Sequence, residues 1–167
     1  VPQKDEVDWQ FPATVMDIVL MGRYPHKKRY QWINKEDKEK ARAALEQLNM
    51  THYGDRQIGE LSGGQQQRVF LARALCQEAD IFLMDEPFVG VDVRTEQRMI
   101  KILKQLASEG KTILVVHHDL DSVQTYFDKV IMINQKLIAF GDTSEVFTKE
   151  NISATYSSQS HFLEKNF

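Results

Sequence analysis

Two adjacent carboxylates, Asp85 and Glu86, end the apolar run Ile81-Phe82-Leu83-Met84. In parallel α/β sheets, ligands gather at the carboxyl ends of strands. An acid pair there suits work on a phosphate through a metal, because phosphoryl transfer needs charge neutralisation and a positioned nucleophile more than covalent chemistry. The same pair would also serve to cap a helix after a strand–helix turn. Upstream, Leu61-Ser62-Gly63-Gly64-Gln65 precedes a helix-like stretch. Backbone N–H groups at a helix start attract anions, and glycines let the backbone approach a phosphate closely. A plain capped helix start uses the same residues. His117-His118-Asp119 follows a second apolar run. An imidazole there could bond a phosphate and sense its loss, although a lone His-Asp pair is more often a cap. Each motif is weak alone. Their order is specific, with Asp85 lying 23 positions after Ser62.

The elements that must position these residues follow from periodicity and punctuation. Residues 4–12 read as a loop, and residues 14–21 as a helix with Thr14 as N-cap. Residues 22–33 carry Gly22, Pro25 and the basic run His26-Lys27-Lys28-Arg29, a solvated loop. Residues 35–50 form a helix whose apolar stripe is Ala41, Ala44, Leu45 and Leu48. Helix resumes at Ser62, with Val69, Ala72, Arg73 and Cys76 on one face. Residues 79–84 are a short strand. Residues 93–109 are a helix with Met99, Ile100, Leu103, Leu106 and Ala107 inward and Gly110 at its stop. Residues 111–116 are a buried strand, and 119–127 a helix begun by Asp119. Residues 129–133 and 136–140 pair as a hairpin across Asn134-Gln135. A short helix starts at Asp142 or Thr143, and residues 151–167, rich in Ser and Asn, read as a frayed tail. A helical first third and an alternating strand–helix middle imply a parallel sheet covered by helices.

Composition narrows the function classes. The chain has 167 residues, enough for one domain with a core, and 42% are hydrophobic. No apolar run approaches the ~18 residues of a membrane span, and no signal-peptide pattern opens the chain. A net charge of −3 leaves no basic footprint for nucleic acid. The single cysteine, Cys76, excludes an internal disulfide and a multi-cysteine zinc site. Its apolar neighbours make it a buried, inert thiol.

The pairing of Leu61–Gln65 with the Asp85-Glu86 strand resembles the ATP-binding-cassette (ABC) ATPases, the motor subunits of ABC transporters. The resemblance implies an α/β fold: part of a P-loop ATPase core, mostly parallel sheet with flanking helices, plus the ABC helical subdomain. It implies three segments. Residues 1–78 are the Q-loop and helical subdomain, 79–150 the C-terminal part of the ATPase core, and 151–167 the tail. It implies ATP and Mg²⁺, with Asp85 on the metal and Glu86 as general base for the attacking water. Ser62, Gly63, Gly64 and Gln65 would form the signature that meets the γ-phosphate of ATP held by a second subunit, with Gln65 and Arg68 more structural than catalytic. His118 would be the switch histidine, because it directly precedes the aspartate. Gln3, in Val1-Pro2-Gln3, would be the Q-loop glutamine that reaches Mg²⁺ and the attacking water. Its 59-position distance from Ser62 suits a transporter-type helical subdomain. Asp92 matches the D-loop at the dimer interface and could also cap the next helix. Trp9 and Phe11 either pack inside the helical subdomain or line a groove for a membrane subunit.

The chain holds no G-x-x-x-x-G-K-[ST] loop: Gly59 and Gly64 have the spacing, but Gln65-Gln66 follow. The expectation is a cassette fragment that starts at the Q-loop, exposes strand edges and by itself hydrolyses ATP negligibly. Asp8–Pro12, Met21-Gly22-Arg23-Tyr24 and Asp85–Asp92 resemble the manganese/zinc/iron chelate uptake branch. That branch implies an importer ATPase on the cytoplasmic face of a membrane. Its partners would be permease subunits, a second copy of itself and, indirectly, a metal-binding solute receptor, with no nucleic acid. Two other readings stand beside it: a non-enzymatic fragment that docks on a membrane subunit, and a non-transport ABC ATPase. The second needs a long coiled coil that 59 positions do not accommodate.

Overall fold

A computed structural model describes residues 12–28 and 30–156. Gln3, Trp9, Phe11 and Arg29 lie outside the described residues, as does the tail beyond Tyr156. The chain divides into two compact units, residues 1–116 and 117–167.

The first unit begins with three packed helices, α1 (Val15–Leu20), α2 (Lys35–Gln47) and α3 (Gly63–Cys76). Each starts with a capping box: Thr14 with Asp17, Asn34 with Asp37, Ser62 with Gln65. Each box satisfies two backbone donors that a helix start otherwise leaves unmet. The predicted stripe of α2 is buried throughout: Ala41, Ala44, Leu45 and Leu48 are all under 5% exposed. They meet Val15 and Val19 of α1 and Val69 and Ala72 of α3 in one core. Each fully buried Leu or Val contributes roughly 1.5–3 kcal/mol. The segment before α3 is tied back to α1, Val15 N–H donating to Arg56 O at 2.9 Å and Ile58 N–H to Ala13 O at 3.0 Å.

Residues 22–26, read from sequence as the start of a solvated loop, belong with Met21 to a 3₁₀ helix (Met21–His26) packed on α3. The reason is ionic rather than apolar. Arg23 is buried and bonds Asp37 and Glu78. Lys27, expected to be solvated, pairs with Asp37. Periodicity cannot register a polar residue that is buried because it is paired.

After α3 the chain runs through β1 (Ile81–Asp85), α4 (Val93–Ser108) and β2 (Thr112–Val116). The strands pair in parallel, from Ile81 opposite Thr112 to Asp85 opposite Val116. Phe82 and Met84 are buried, as are Met99, Ile100 and Leu103 of α4, which packs on β2. Two differences from the sequence reading appear. Ala107 is exposed, and β2 is not buried on both faces. Ile81, Leu83, Leu114 and Val116 are each 46–65% exposed. Parallel strands are ordinarily covered on both sides, so this apolar face is a property that neither propensity nor pattern predicts.

The second unit holds α5 (Leu120–Tyr126), the antiparallel hairpin β3 (Lys129–Asn134) and β4 (Lys136–Asp142), α6 (Thr143–Val146) and α7 (Lys149–Tyr156). The hairpin turns at Gln135, with φ 57. Helix α7 extends six residues into the segment read as a frayed tail. Ile152 is buried at 3% exposure, and Asn151 donates to Val146 O at 2.8 Å. Among the described residues no helix is long and apolar enough to cross a membrane.

Candidate nucleotide site

Asp85 closes β1 at its carboxyl end, and Glu86 is the first residue of the turn beyond it. Both are half-buried. Glu86 has φ 43, a left-handed conformation that costs a non-glycine residue on the order of 1–3 kcal/mol and clusters at functional sites. The surroundings hold it there. Its N–H donates to Val116 O at 3.1 Å, extending the β1–β2 ladder past Asp85, and its carbonyl accepts from Val89 N–H at 3.3 Å. Phe88 is buried beneath the turn. The carboxylate of Glu86 is thus carried on an over-determined backbone.

Helix α3 starts at Gly63. Ser62 Oγ accepts from Gln65 N–H at 3.4 Å, and Gln65 Oε1 accepts from Ser62 N–H at 2.8 Å. Gln65 Nε2 also donates to Tyr53 Oη at 3.0 Å. Both ends of the Gln65 amide are therefore engaged within the chain. Gly64 faces the turn after Glu86: a Cβ on it would lie 2.7 Å from Gly90 O. Only glycine permits that approach. The glycine start of α3 and the segment Gly90-Val91 are therefore packed backbone to backbone.

Asp92 caps α4. Its carboxylate accepts from Arg94 and Thr95 N–H, both at 3.1 Å, and from Thr95 Oγ1 at 2.7 Å. The Thr95 hydroxyl and N–H hold the Asp92 carboxyl below its usual range. The capping role weighed from sequence is thus present in the structure.

His117, His118 and Asp119 belong to the second unit and are described within it. Asp119 caps α5 by accepting from Asp121 N–H at 3.1 Å. Ser122 Oγ donates to Asp119 O at 3.1 Å and takes the Nε2–H of His117 at 2.7 Å. His117 also packs edge-on against Phe127. His118 is the exposed member of the pair.

Sequence reasoning missed the ionic cluster beneath α3. Arg23 donates to Asp37 Oδ1 at 3.2 Å, to Glu78 Oε2 at 2.7 Å and to Cys76 O at 2.9 Å. Burial pushes the Asp37 carboxyl up, but the Asn34 N–H, Lys27 and Arg23 outweigh it and hold the group at about 2. His26 Nε2–H donates to Gln77 O at 2.7 Å, and a Cβ on Gly22 would meet Arg73 O at 2.3 Å. The 3₁₀ helix therefore grips the carboxyl end of the helix whose amino end carries Ser62 to Gln65. Gly22 was the one visible signal, because a glycine beside a helix often marks close approach.

A family model described as "ABC transporter" matches residues 2–89, more than half of the chain. The chain belongs to the ABC transporter family. Its fold is that of the family's ATPase cassettes. The ADP conformation of MJ1267, an ATP-binding cassette of an ABC transporter, matches with TM-score 0.72 and 31% identity over 89% of this chain and 64% of that one. The dimeric structure of MJ0796, a bacterial ABC transporter cassette, matches with TM-score 0.72 and 26% identity over 85% and 61%. Among curated relatives, the manganese transport system ATP-binding protein MntB of Bacillus subtilis is 52% identical over 98% of this chain and 66% of its own length. The zinc transport system ATP-binding protein TroB of Treponema pallidum is 54% identical over 93% of this chain and 59% of its own. The chain thus spans about three-fifths to two-thirds of the length of these relatives.

The donor chemistry suits a nucleotide with Mg²⁺. Mg²⁺ favours oxygen ligands, keeps several waters and is held by one or two carboxylates together with substrate phosphates. Two acids at one strand end supply that without a closed protein cage. Among the described residues no cluster of three or more His, Cys, Asp or Glu could hold a metal.

Proposed function

We propose that this chain is part of the ATP-hydrolysing motor subunit of an ABC importer for a transition metal such as manganese or zinc. One observation carries the mechanistic part. The Gly63-Gly64 helix start and the Asp85-Glu86 turn belong to one packed unit, joined where Gly64 abuts Gly90 O. That contact ties a helix start suited to a second copy's nucleotide to the turn whose carboxylates suit the chain's own, and donors and carboxylates are the two ingredients that phosphoryl transfer to water requires. The manganese and zinc transport ATP-binding relatives and the resemblance of Met21–Tyr24 and Asp85–Asp92 to the metal-chelate branch support the cargo.

Bound Mg²⁺ would supply charge neutralisation at the phosphates, with Asp85 and Gln3 as its residues. Glu86 orients a water and takes its proton as attack begins, a contribution of roughly 10²–10⁴-fold. Gly63 and Gly64 offer backbone N–H groups to the γ-phosphate across a head-to-tail dimer with a second copy, and Ser62 keeps their helix start in place. Asp92 caps α4 and meets the second copy at the dimer interface. His118 bonds the γ-phosphate and registers its departure. Permease subunits, and through them a metal-binding receptor, are the partners, and the assembly lies peripherally at the cytoplasmic face. The 167 residues contain no phosphate-cradling G-x-x-x-x-G-K-[ST], so turnover is assigned to the parent protein and the chain alone hydrolyses ATP negligibly.

The test is Mg²⁺-dependent ATPase activity of the parent protein with Glu86→Gln. Loss of roughly 10²-fold or more with retained ATP binding is expected. A Glu86→Gln variant with near-normal turnover would remove Glu86 from the chemistry. Manganese against zinc uptake in vesicles with the permease subunits decides the cargo.

A further inference from the structure

We propose that the cleft between the end of α2 and helices α3 and α4 is a binding site for a phosphate-class oxyanion. The cleft, of about 270 Å³, is lined by Leu48, Asn49, Arg68, Arg94, Thr95 and Arg98. Three arginines therefore line one small cleft. Among the described residues no Asp or Glu forms an ion pair with any of them. Asp92, two residues before Arg94, has its carboxylate committed to the α4 cap.

The second observation is an orphan donor. Arg68 is half-buried, and one of its terminal nitrogens donates to Leu48 O at 3.3 Å. Its Nε–H is buried with no hydrogen-bond partner, the only such side-chain atom among the described residues. A buried donor is nearly always paired, and one without an acceptor marks the place of a missing acceptor, either water or an ion. Arg94 and Arg98 line the same cleft with no ion-pair partner among the described residues, so like charges favour an anionic acceptor there.

The number of donors selects the ligand. Each guanidinium presents a planar fork that matches two oxygens. A carboxylate has two oxygens to share among three forks, whereas a phosphate has enough to engage all three. The ligand is a free phosphate or the terminal phosphate of a nucleotide. Occupancy would cross-link α2, α3 and α4, tying the helix that carries Ser62 to the helix that Asp92 caps. The site stands whether or not the parent protein hydrolyses ATP.

The test uses the 167-residue chain, reading the Arg ¹⁵Nε resonances and the thermal midpoint against inorganic phosphate, with sodium chloride at matched ionic strength. Expected are saturable shifts of Arg Nε signals with a Kd of roughly millimolar, absent in chloride. Arg94→Gln with Arg98→Gln, both on an exposed helix face, should weaken phosphate at least about tenfold. Arg94→Lys with Arg98→Lys should keep part of the affinity. ADP that displaces phosphate assigns the site to a nucleotide's terminal phosphate, and indifference to ADP assigns it to the free ion. The same response in the double Gln variant, an equal response to chloride, or no response up to roughly 50 mM phosphate overturns the proposal.

Discussion

The backbone contact between Gly64 and Gly90 yields a prediction whose sign is decided by two opposed effects. Gly64→Ala places a methyl in the first turn of α3. Helix propensity alone favours alanine by up to about 1 kcal/mol. The methyl would lie 2.7 Å from Gly90 O and 3.4 Å from Val91 Cα. The first distance is far inside van der Waals contact, and the neighbour is backbone, not a side chain that can rotate away. Overpacking of this kind costs about 1–3 kcal/mol. The clash wins, for a net loss of roughly 0.5–2 kcal/mol. With a urea dependence of about 1–3 kcal/mol/M, the midpoint falls by roughly 0.2–2 M. Circular dichroism of the chain in urea measures this. Gly22→Ala is the internal comparison, because its methyl would meet Arg73 O at 2.3 Å and should cost more. In the parent protein Gly64→Ala should also slow ATP turnover, because Gly64 and the turn after Glu86 must separate. A Gly64→Ala chain with an unchanged or raised midpoint refutes the contact, since propensity would then be acting alone.

Three further outcomes are expected. Ser62→Ala removes the α3 cap and costs about 0.5–1 kcal/mol, at the low end because the Oγ–N distance is 3.4 Å; Ser62→Asp should restore most of the loss in the same unfolding assay. The Asp37 carboxyl, held at about 2, contributes stability that is fully present above about pH 4 and fades as pH falls toward 2, because the unfolded group takes its proton first. Asp37→Asn should be less stable at neutral pH and should lose that acid-dependent component, so an identical acid slope in the variant would exclude Asp37 as its source. Burial pushes the Cys76 thiol up to about 11, so at pH 8 its thiolate fraction is about a hundredfold below that of an ordinary cysteine. Reaction with a disulfide reagent should be correspondingly slow in the native chain and fast in urea, and rapid native-state labelling would show that the thiol is accessible.

The helices were legible because their signals are local. Thr14, Asn34, Ser62, Asp92 and Asp119 each cap the helix they precede. The Ala41–Leu48 stripe is buried because a 3.6-residue period puts those side chains on one face. The motif residues Ser62 to Gln65 and Asp85-Glu86 were legible for the same reason, because strand end and helix start are written in a few adjacent residues. Met21–His26 was not. Its fold depends on Arg23 finding Asp37, Glu78 and Cys76 O, partners 14 to 55 positions away that no window contains.

The amino-acid sequence by itself determined the family and the order of elements and suggested the residues proposed to meet a phosphate, since each rests on residue type at short spacing. Only the tertiary structure decided which of those residues meet. It placed Gly64 against Gly90, turned Glu86 into a left-handed conformation held by Val116 O, gathered Arg68, Arg94 and Arg98 around one cleft, and left one face of β1 and β2 apolar and exposed. The physical reason is that caps and periods are local free-energy preferences, whereas close approach, charge convergence and burial depend on which surfaces pack after the chain has folded.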